Sequence, residues 1–339
     1  VLHAHQAGLS PLNSLGQGKR ILPVVPLFHA NSWGLAHAAP LTGTTLVMPG
    51  PKLDGASIWD LIDAQRVYSA WGVPTVWLGL MAEIQARGAK PPSLGEMVVG
   101  GAAAAPSLIE GFEKLGVDVC HAWGMTEMSP VGTLGVLGPQ HAGLTDAERL
   151  ALKSTQGRRT YLVDLKIVDE AGKALPHDGK ATGELFVRGP FVVAGYFNNP
   201  EASAAAIDAE GWFGTGDVAS IDPEGFLTIT DRAKDLIKSG GEWISSIDVE
   251  NLALGHADIA NCAVIAVPHP KWDERPVLVA VPAVEQPDMD AIRAHLAAHL
   301  AKWQLPDDII FVEDLPLTAT GKVSKLTLRE RFKDHALGG

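Results

Sequence analysis

The stretch "EMVVGGAAAAPSLIEGFEKLGVDVCHAWG", residues 96–124, constrains the fold more than any other. A short apolar run ends in a glycine–alanine turn, an amphipathic helical pattern follows, and a second apolar run closes the segment. Strand, helix and strand in that order form a βαβ unit, whose crossover makes the two strands parallel. Upstream, "TTLVMPG" reads as another strand ending in a glycine turn and "GASIWDLIDAQRV" as an amphipathic helix. The pattern therefore predicts an α/β domain to about residue 159.

From about Thr160 the texture becomes β-rich, through "YLVDLKIVDE", "GELFVRG", "FGTGDVASID" and "GFLTITD". The charged, then glycine-rich stretch "DRAKDLIKSGGEWIS" marks a boundary. Behind it lies a compact α+β pattern: "IDVENLALG", "CAVIAVP", "PVLVAVP", "DAIRAHLAAHLAKW", "DIIFVED" and a terminal helix from Val323. The expected organisation is a large domain over 1–230, with a β-rich subdomain at about 160–230, and a hinge plus small domain over 231–339.

Composition excludes several classes. With 46% hydrophobic and 19% charged residues the 339-residue chain is globular in character. A net charge of −12 opposes nonspecific nucleic-acid binding, which needs a basic surface. Cys120 and Cys262 are the two cysteines, too far apart for a metal-ligand spacing, and a reducing cytoplasm is the default. No apolar run reaches membrane-spanning length. His3 and His5 read as an ordinary exposed pair. The opening "VLHAHQAGLSP" carries no initiator methionine, as if cut from something longer.

Near the C-terminus, "PLTATGKVSK" suggests a phosphate site, yet it is no P-loop: Pro316 and Val323 stand where that motif needs a glycine and a Ser or Thr. An isolated Thr-Gly-Lys is usually a solvated turn, so its weight comes from the segments upstream. "HAWGMTEMSP" places the Thr126 hydroxyl and the Glu127 carboxylate just after a strand of the βαβ unit, where ligands of such sheets bind. Thr126 can donate to a phosphate oxygen and Glu127 can ligate Mg2+, although a Thr-Glu pair is equally a helix cap. Trp123 either packs in the core or stacks on a base. In "GWFGTGDV", Asp217 follows a turn and can accept from ribose hydroxyls, and the fork of Arg232 suits ribose and phosphate oxygens. Singly, each reads as turn chemistry or a surface ion pair.

In fixed order, "HAWGMTEMSP", "GELFVRG", "GWFGTGDV", "DRAKDLIKSGGEWIS" and "PLTATGKVSK" resemble the adenylate-forming superfamily of acyl-CoA synthetases, luciferases and peptide-synthetase adenylation domains. "PLFHANSWG" and "VPHPKWDERPVLV" resemble the branch of medium-chain fatty-acyl-CoA and methylmercaptopropionyl-CoA ligases. The resemblance covers essentially the whole chain. It implies a small-molecule carboxylic acid, ATP with Mg2+, and CoA as substrates, an acyl-adenylate intermediate, and a small C-terminal domain that swings between two poses, with a homodimer left open.

Residue by residue, the resemblance makes Lys322 the adenylation lysine and Lys234 the hinge. It sets Gly101 and Ala102 beside the acyl carbonyl and adenine, and Trp123, Thr126, Asp217 and Arg232 around the nucleotide. His29, Trp33, Gly240, Gly241, Glu242 and Trp243 fall along the acyl pocket and the CoA tunnel. Lys325 also fits the pattern, as does an exposed lysine at a helix start. Peptide-synthetase domains carry an aspartate at the His29 position, so an amino-acid substrate is disfavoured. The family's phosphate loop is not found in the sequence, and "VLHAHQAG" resembles the helix that follows it. A fragment that is poorly soluble and inactive by itself is the resulting expectation. The alternatives are an acyl-AMP ligase serving a carrier protein and an inactive nucleotide- or acyl-binding pseudoenzyme.

Overall fold

The computed structural model describes residues 12, 14–333 and 335, so His3, His5 and the opening segment lie outside the described residues. The chain divides into two compact units, Val1–Ala104 with Leu108–Ile229, and Ala105–Ser107 with Thr230–Gly339.

The first unit is built on strands β1 (Arg20–Pro23), β2 (Thr45–Leu46), β3 (Ser69–Gly72), β4 (Glu96–Gly100) and β5 (Asp118–Gly124). They stand in the order β2-β1-β3-β4-β5, and every neighbouring pair is parallel. A parallel sheet is covered on both faces, which is why β3 and β4 are buried at every residue. The helix Pro106–Lys114 between β4 and β5 turns Leu108, Ile109 and Phe112 inward. Each large side chain so buried contributes roughly 1.5–3 kcal/mol relative to exposure.

Beyond β5 the chain continues through β6 (Val131–Leu134), β7 (Gly157–Arg159), β8 (Asp164–Val168), β9 (Gly183–Arg188), β10 (Phe213–Ile221) and β11 (Phe226–Arg232). These extend the sheet in the order β6-β7-β11-β10-β9-β8 to eleven strands. The junctions β5–β6, β6–β7, β7–β11, β9–β10 and β8–β9 are antiparallel.

The helix Asp146–Ser154 is absent from the pattern read above. Its start is a capping box: Thr145 N and Oγ1 donate to Glu148, and Glu148 N donates back to Thr145 Oγ1. Its buried Lys153 pairs with Glu113 and Asp118 and donates to Val119 O at 2.9 Å. Lys153 is the buried residue of this helix, and its partners Glu113 and Asp118 lie 40 and 35 positions away, beyond any local pattern.

The second unit holds β12 (Ile237–Ser239), β13 (Glu242–Ile244), β14 (Ile259–His269), β15 (Asp273–Pro282) and β16 (Asp308–Phe311), in the order β13-β12-β15-β14 with β16 also on β15. Alternate residues of β14 face opposite ways. Cys262 and Val264 pack with residues of the helices Ser246–Ala253 and Met289–Ala297, while Ala263, Ile265 and Val267 pack with Leu328 of the terminal helix. That helix runs Lys325–Arg331 and is capped by Ser324; Val323 instead pairs with Leu317 in an isolated bridge.

Candidate active site

In the first unit, three segments named from the sequence leave the carboxyl ends of parallel strands: His29–Trp33 after β1, Gly101–Ala102 after β4, and Thr126–Glu127 after β5. β1 lies between β2 and β3, so the strand order reverses beside it, and such switch points are where open α/β sheets place their ligands.

Asp217 reaches the same region by a local device. The β9–β10 register shifts between Gly214 and Val218, and Gly216 has φ 72°. A bulge of this kind re-aims a side chain. Thr215 Oγ1 fixes it, donating to Leu185 O at 2.9 Å and accepting from Asp217 N at 3.1 Å. Asp217 is only 4% exposed, and its Oδ2 accepts from Trp123 Nε1 at 2.9 Å. Trp123 is thus both a packing residue, against the clusters around Met128 and Leu185, and a hydrogen-bond partner of Asp217.

Thr126–Met128 form a single 3-10 turn, with Met128 fully buried as its anchor and Thr126 exposed. Glu127 is half-buried; its backbone carbonyl accepts from Val193 N at 2.8 Å and its Oε1 from the Tyr196 hydroxyl at 3.1 Å. Tyr196 is not among the sequence candidates, because a tyrosine in "GYFNNPE" carries no chemical signal until its partner is known. Burial and Glu127 both push its phenol pKa up, which keeps it a donor. No group of three or more His, Cys, Asp or Glu able to hold a metal exists among the described residues. A single half-buried carboxylate such as Glu127 fits Mg2+ only where a nucleotide brings the ion, which then keeps phosphate and water ligands.

Ala30, Asn31, Ser32 and Trp33 have φ of 45°, 56°, 51° and 54°, four consecutive left-handed residues. Each costs about 1–2 kcal/mol in that conformation. The turn is held by Ser32 Oγ donating to Val25 O at 2.6 Å and by Trp33, buried among Ile21, Val25, Trp71 and Val98. His29 precedes the turn and is half-buried.

The second unit carries the remaining candidates. Arg232 ends β11, with its N–H on Asp231 Oδ1 at 2.8 Å, and Lys234 follows, exposed. Gly240 and Gly241 join β12 to β13 as a two-residue hairpin with φ 62° and 92°, the mirror-image turn that matches strand twist. Gly240 N donates to Trp272 O at 2.9 Å, and a Cβ at Gly240 would lie 2.8 Å from the Trp272 ring. Glu242 is exposed, and Lys238 Nζ stands 4.7 Å from the ring centroid of the exposed Trp243.

The loop Thr318–Lys322 closes on itself: Thr318 N donates to Lys322 O at 2.7 Å, Lys322 N to Thr318 Oγ1 at 3.2 Å, and Gly321 turns at φ 80°. Lys325 is not an exposed helix-start lysine. Its side chain is 17% exposed and its Nζ lies 2.7 Å from Glu250 Oε1. Burial opposes its charge, but Glu250, Asp231 and Asp235 outweigh it and raise its pKa. The buried thiol of Cys120 is pushed up to about 12, which removes it as a nucleophile.

Known proteins resemble the chain in both sequence and fold. A family profile described as "AMP-binding enzyme" matches residues 1–197, and one described as "AMP-binding enzyme C-terminal domain" matches residues 248–322. The chain is 49% identical over 350 residues to a 3-methylmercaptopropionyl-CoA ligase of Ruegeria pomeroyi, covering 100% of this chain and 64% of the relative. It is 47% identical over 342 residues to a medium-chain-fatty-acid–CoA ligase of Ectopseudomonas oleovorans, covering 99% and 62%. The chain thus spans less than two thirds of these relatives' length. Among solved structures, an anthranilate CoA ligase in complex with anthranoyl-AMP superposes with a TM-score of 0.86 at 25% identity, covering 98% of this chain and 63% of that one. The o-succinylbenzoate CoA synthetase of Bacillus subtilis, bound to its acyl-adenylate, gives 0.81 at 28%, covering 99% and 65%. With the adenylate-forming fold in both and a profile across more than half of its residues, the chain belongs to the AMP-binding enzyme family.

Proposed function

We propose that this chain is part of an ATP-dependent acid–thiol ligase. A carboxylate oxygen attacks the α-phosphorus of Mg·ATP, the α–β P–O bond breaks, and pyrophosphate leaves. The CoA sulfur then attacks the acyl carbonyl carbon of the adenylate, AMP departs with the C–O electron pair, and the thiol proton passes to solvent. The observation that carries the reading is the Trp123–Asp217 pair at the β10 bulge: an aromatic face and a buried carboxylate, fixed to each other near the ends of the parallel strands.

In this reading Asp217 and Arg232 hold the ribose, Thr126 a phosphate oxygen, and Gly101 and Ala102 the turn against the adenine. Glu127 would hold Mg2+, which supplies charge neutralisation at the phosphates. Lys322 relieves the repulsion between two anions in the first step, as a compact charge on a long stem. Lys234 is the hinge. Gly240, Gly241, Glu242 and Trp243 line the CoA tunnel, with His29 and Trp33 at the acyl pocket. A medium-chain fatty acid or a methylmercaptopropionate-like acid is the proposed substrate, supported by the names of the relatives at 47–49% identity. The protein works in the cytoplasm, where ATP and CoA are at hand.

The test is a panel of carboxylic acids, from butyrate to dodecanoate and including 3-methylmercaptopropionate, assayed with the full-length protein. Acid-dependent ATP–pyrophosphate exchange and thioester formation with free CoA are expected, strongest for medium chains or the thioether acid. Exchange without thioester would transfer the reading to a carrier-protein ligase. No acid-dependent exchange across the panel would end it.

A further inference from the structure

A chain of buried polar groups runs through the second unit, and the roles proposed above do not use it. Asp231, 1% exposed, accepts at Oδ1 from Arg232 N at 2.8 Å and at Oδ2 from Ser246 N at 2.7 Å and Ser246 Oγ at 2.6 Å. Ser246 is fully buried, and its Oγ accepts in turn from Lys325 Nζ at 2.6 Å. Lys325 Nζ also meets Glu250 Oε1 at 2.7 Å, and Val264 N donates to that same oxygen at 2.7 Å. Alongside it, Ser245 Oγ donates to Thr230 O at 2.7 Å, and Arg329 Nη1 lies 2.7 Å from Asp235 Oδ1.

The topology of this chain is informative. Asp231 precedes Lys234 and Asp235 follows it, and both are tied to the one helix Lys325–Arg331, directly by Arg329 and through Ser246 by Lys325. That helix begins three residues after Lys322. Burying two carboxylates with one ammonium is costly unless every oxygen and proton finds a partner. Such an arrangement does more than fill a core: it has few alternative geometries.

We propose that Lys325 is a positioning residue for adenylation, which acts through Ser246 and Asp231 to hold the backbone of Arg232 in register with the loop of Lys322. The role rests on the ligase reading, since it links the two cationic side chains assigned there to the nucleotide. Lys322 serves only the first half-reaction in that reading, so the polar chain serves that step too. CoA transfer from a preformed adenylate keeps the Arg232–ribose contact but needs no register with the loop of Lys322, so it depends on the polar chain less.

Ser246→Ala is the decisive variant, because it removes the linking hydroxyl and leaves the Lys325–Glu250 pair intact. Lys325→Met strands a buried carboxylate and can unfold the domain, so it is the weaker test. Hydrogen–deuterium exchange of residues 230–246 should speed up roughly tenfold in Ser246→Ala, as expected for loss of a hydrogen bond to a charged group. In the full-length protein, pyrophosphate exchange should fall by roughly tenfold or more, with thioester formation from supplied acyl-adenylate within about twofold of wild type. Unchanged exchange of the 230–246 amides, or equal losses in the two half-reactions, would overturn the role. A wild type inert in both half-reactions would instead remove the ligase reading and this role with it.

Discussion

The indole Nε1–H of Trp123 donates to Oδ2 of Asp217 across 2.9 Å, joining the end of β5 to the bulge in β10. Two residues with separate assignments, one for a base and one for a ribose, therefore act as a unit. The hydrogen bond fixes the plane of the ring and the aim of the carboxylate together. Trp123→Phe keeps an aromatic face and deletes the donor. A hydrogen bond to a charged group is worth about 1.5–3 kcal/mol, so the Kd for ATP should rise roughly tenfold, measured calorimetrically on the full-length protein. Trp123→Leu, which also deletes the π face, should raise it further. ATP affinity unchanged in both variants would reduce Trp123 to core packing.

How far sequence alone could reach differs from residue to residue. The βαβ unit at 96–124 was legible because its strands are continuous apolar runs and its helix buries Leu108, Ile109 and Phe112 at helical spacing. The helix Asp146–Ser154 was not, because its buried position is a lysine and its stability comes from ion pairs that no local pattern encodes. Its capping box, "TDAE", was the available signal. Gly240 and Gly241 could be read as positive-φ residues from their composition, but the approach of Trp272 to Gly240 comes from a different hairpin. Asp231, Ser246, Glu250 and Tyr196 escaped for the same reason. Each is an ordinary polar residue whose role is defined by a partner between 15 and 79 positions away.

His121 gives the fold a pH dependence of its own. The ring is 1% exposed on β5, and burial pushes its pKa down to about 4, against a backbone contact from Nδ1 to Ser154 O at 3.1 Å. The unfolded chain takes up this proton near the usual value of about 6.5, and the folded chain only near 4. Between those values the unfolded state binds more protons, so the stability contributed is full above the upper value and falls as pH drops through the window. The loss from this group amounts to roughly 3 kcal/mol by pH 4. Urea unfolding at a series of pH values should show a flatter acid limb for His121→Gln than for wild type. Two parallel curves would exclude His121 as the source.

The β12–β13 turn separates two costs that composition would treat alike. Gly241 has φ 92°, and a Cβ added there would have no atom within 4 Å, so Gly241→Ala meets backbone strain alone, about 1–2 kcal/mol. Gly240 has φ 62° and the Trp272 ring 2.8 Å from where its Cβ would stand. Gly240→Ala adds overpacking of about 1–3 kcal/mol to the same strain. Denaturant midpoints should therefore order wild type above Gly241→Ala above Gly240→Ala, and the Trp272 fluorescence should shift only in the last. Equal midpoints for the two variants would mean that the indole moves aside without cost.

Lys322 provides the sharpest separation between the two halves of the proposed reaction. Its loop is closed by hydrogen bonds between Thr318 and Lys322, so the backbone geometry does not depend on the lysine side chain. Lys322→Ala keeps both of these loop hydrogen bonds while it removes the cation, and the unfolding transition reads any cost to the fold. If that cation bridges carboxylate and α-phosphate in the transition state, its loss should cost on the order of a hundredfold or more in pyrophosphate exchange, the magnitude typical of a charge-stabilising donor. Thioester formation from a supplied acyl-adenylate should stay within about threefold, because no second anion then approaches the phosphate. Lys322→Arg tests geometry separately: a planar guanidinium keeps the charge but cannot act as a compact point donor, so exchange should recover only in part. A matching collapse of both half-reactions in Lys322→Ala, with an unchanged unfolding transition, would show that the lysine serves both steps.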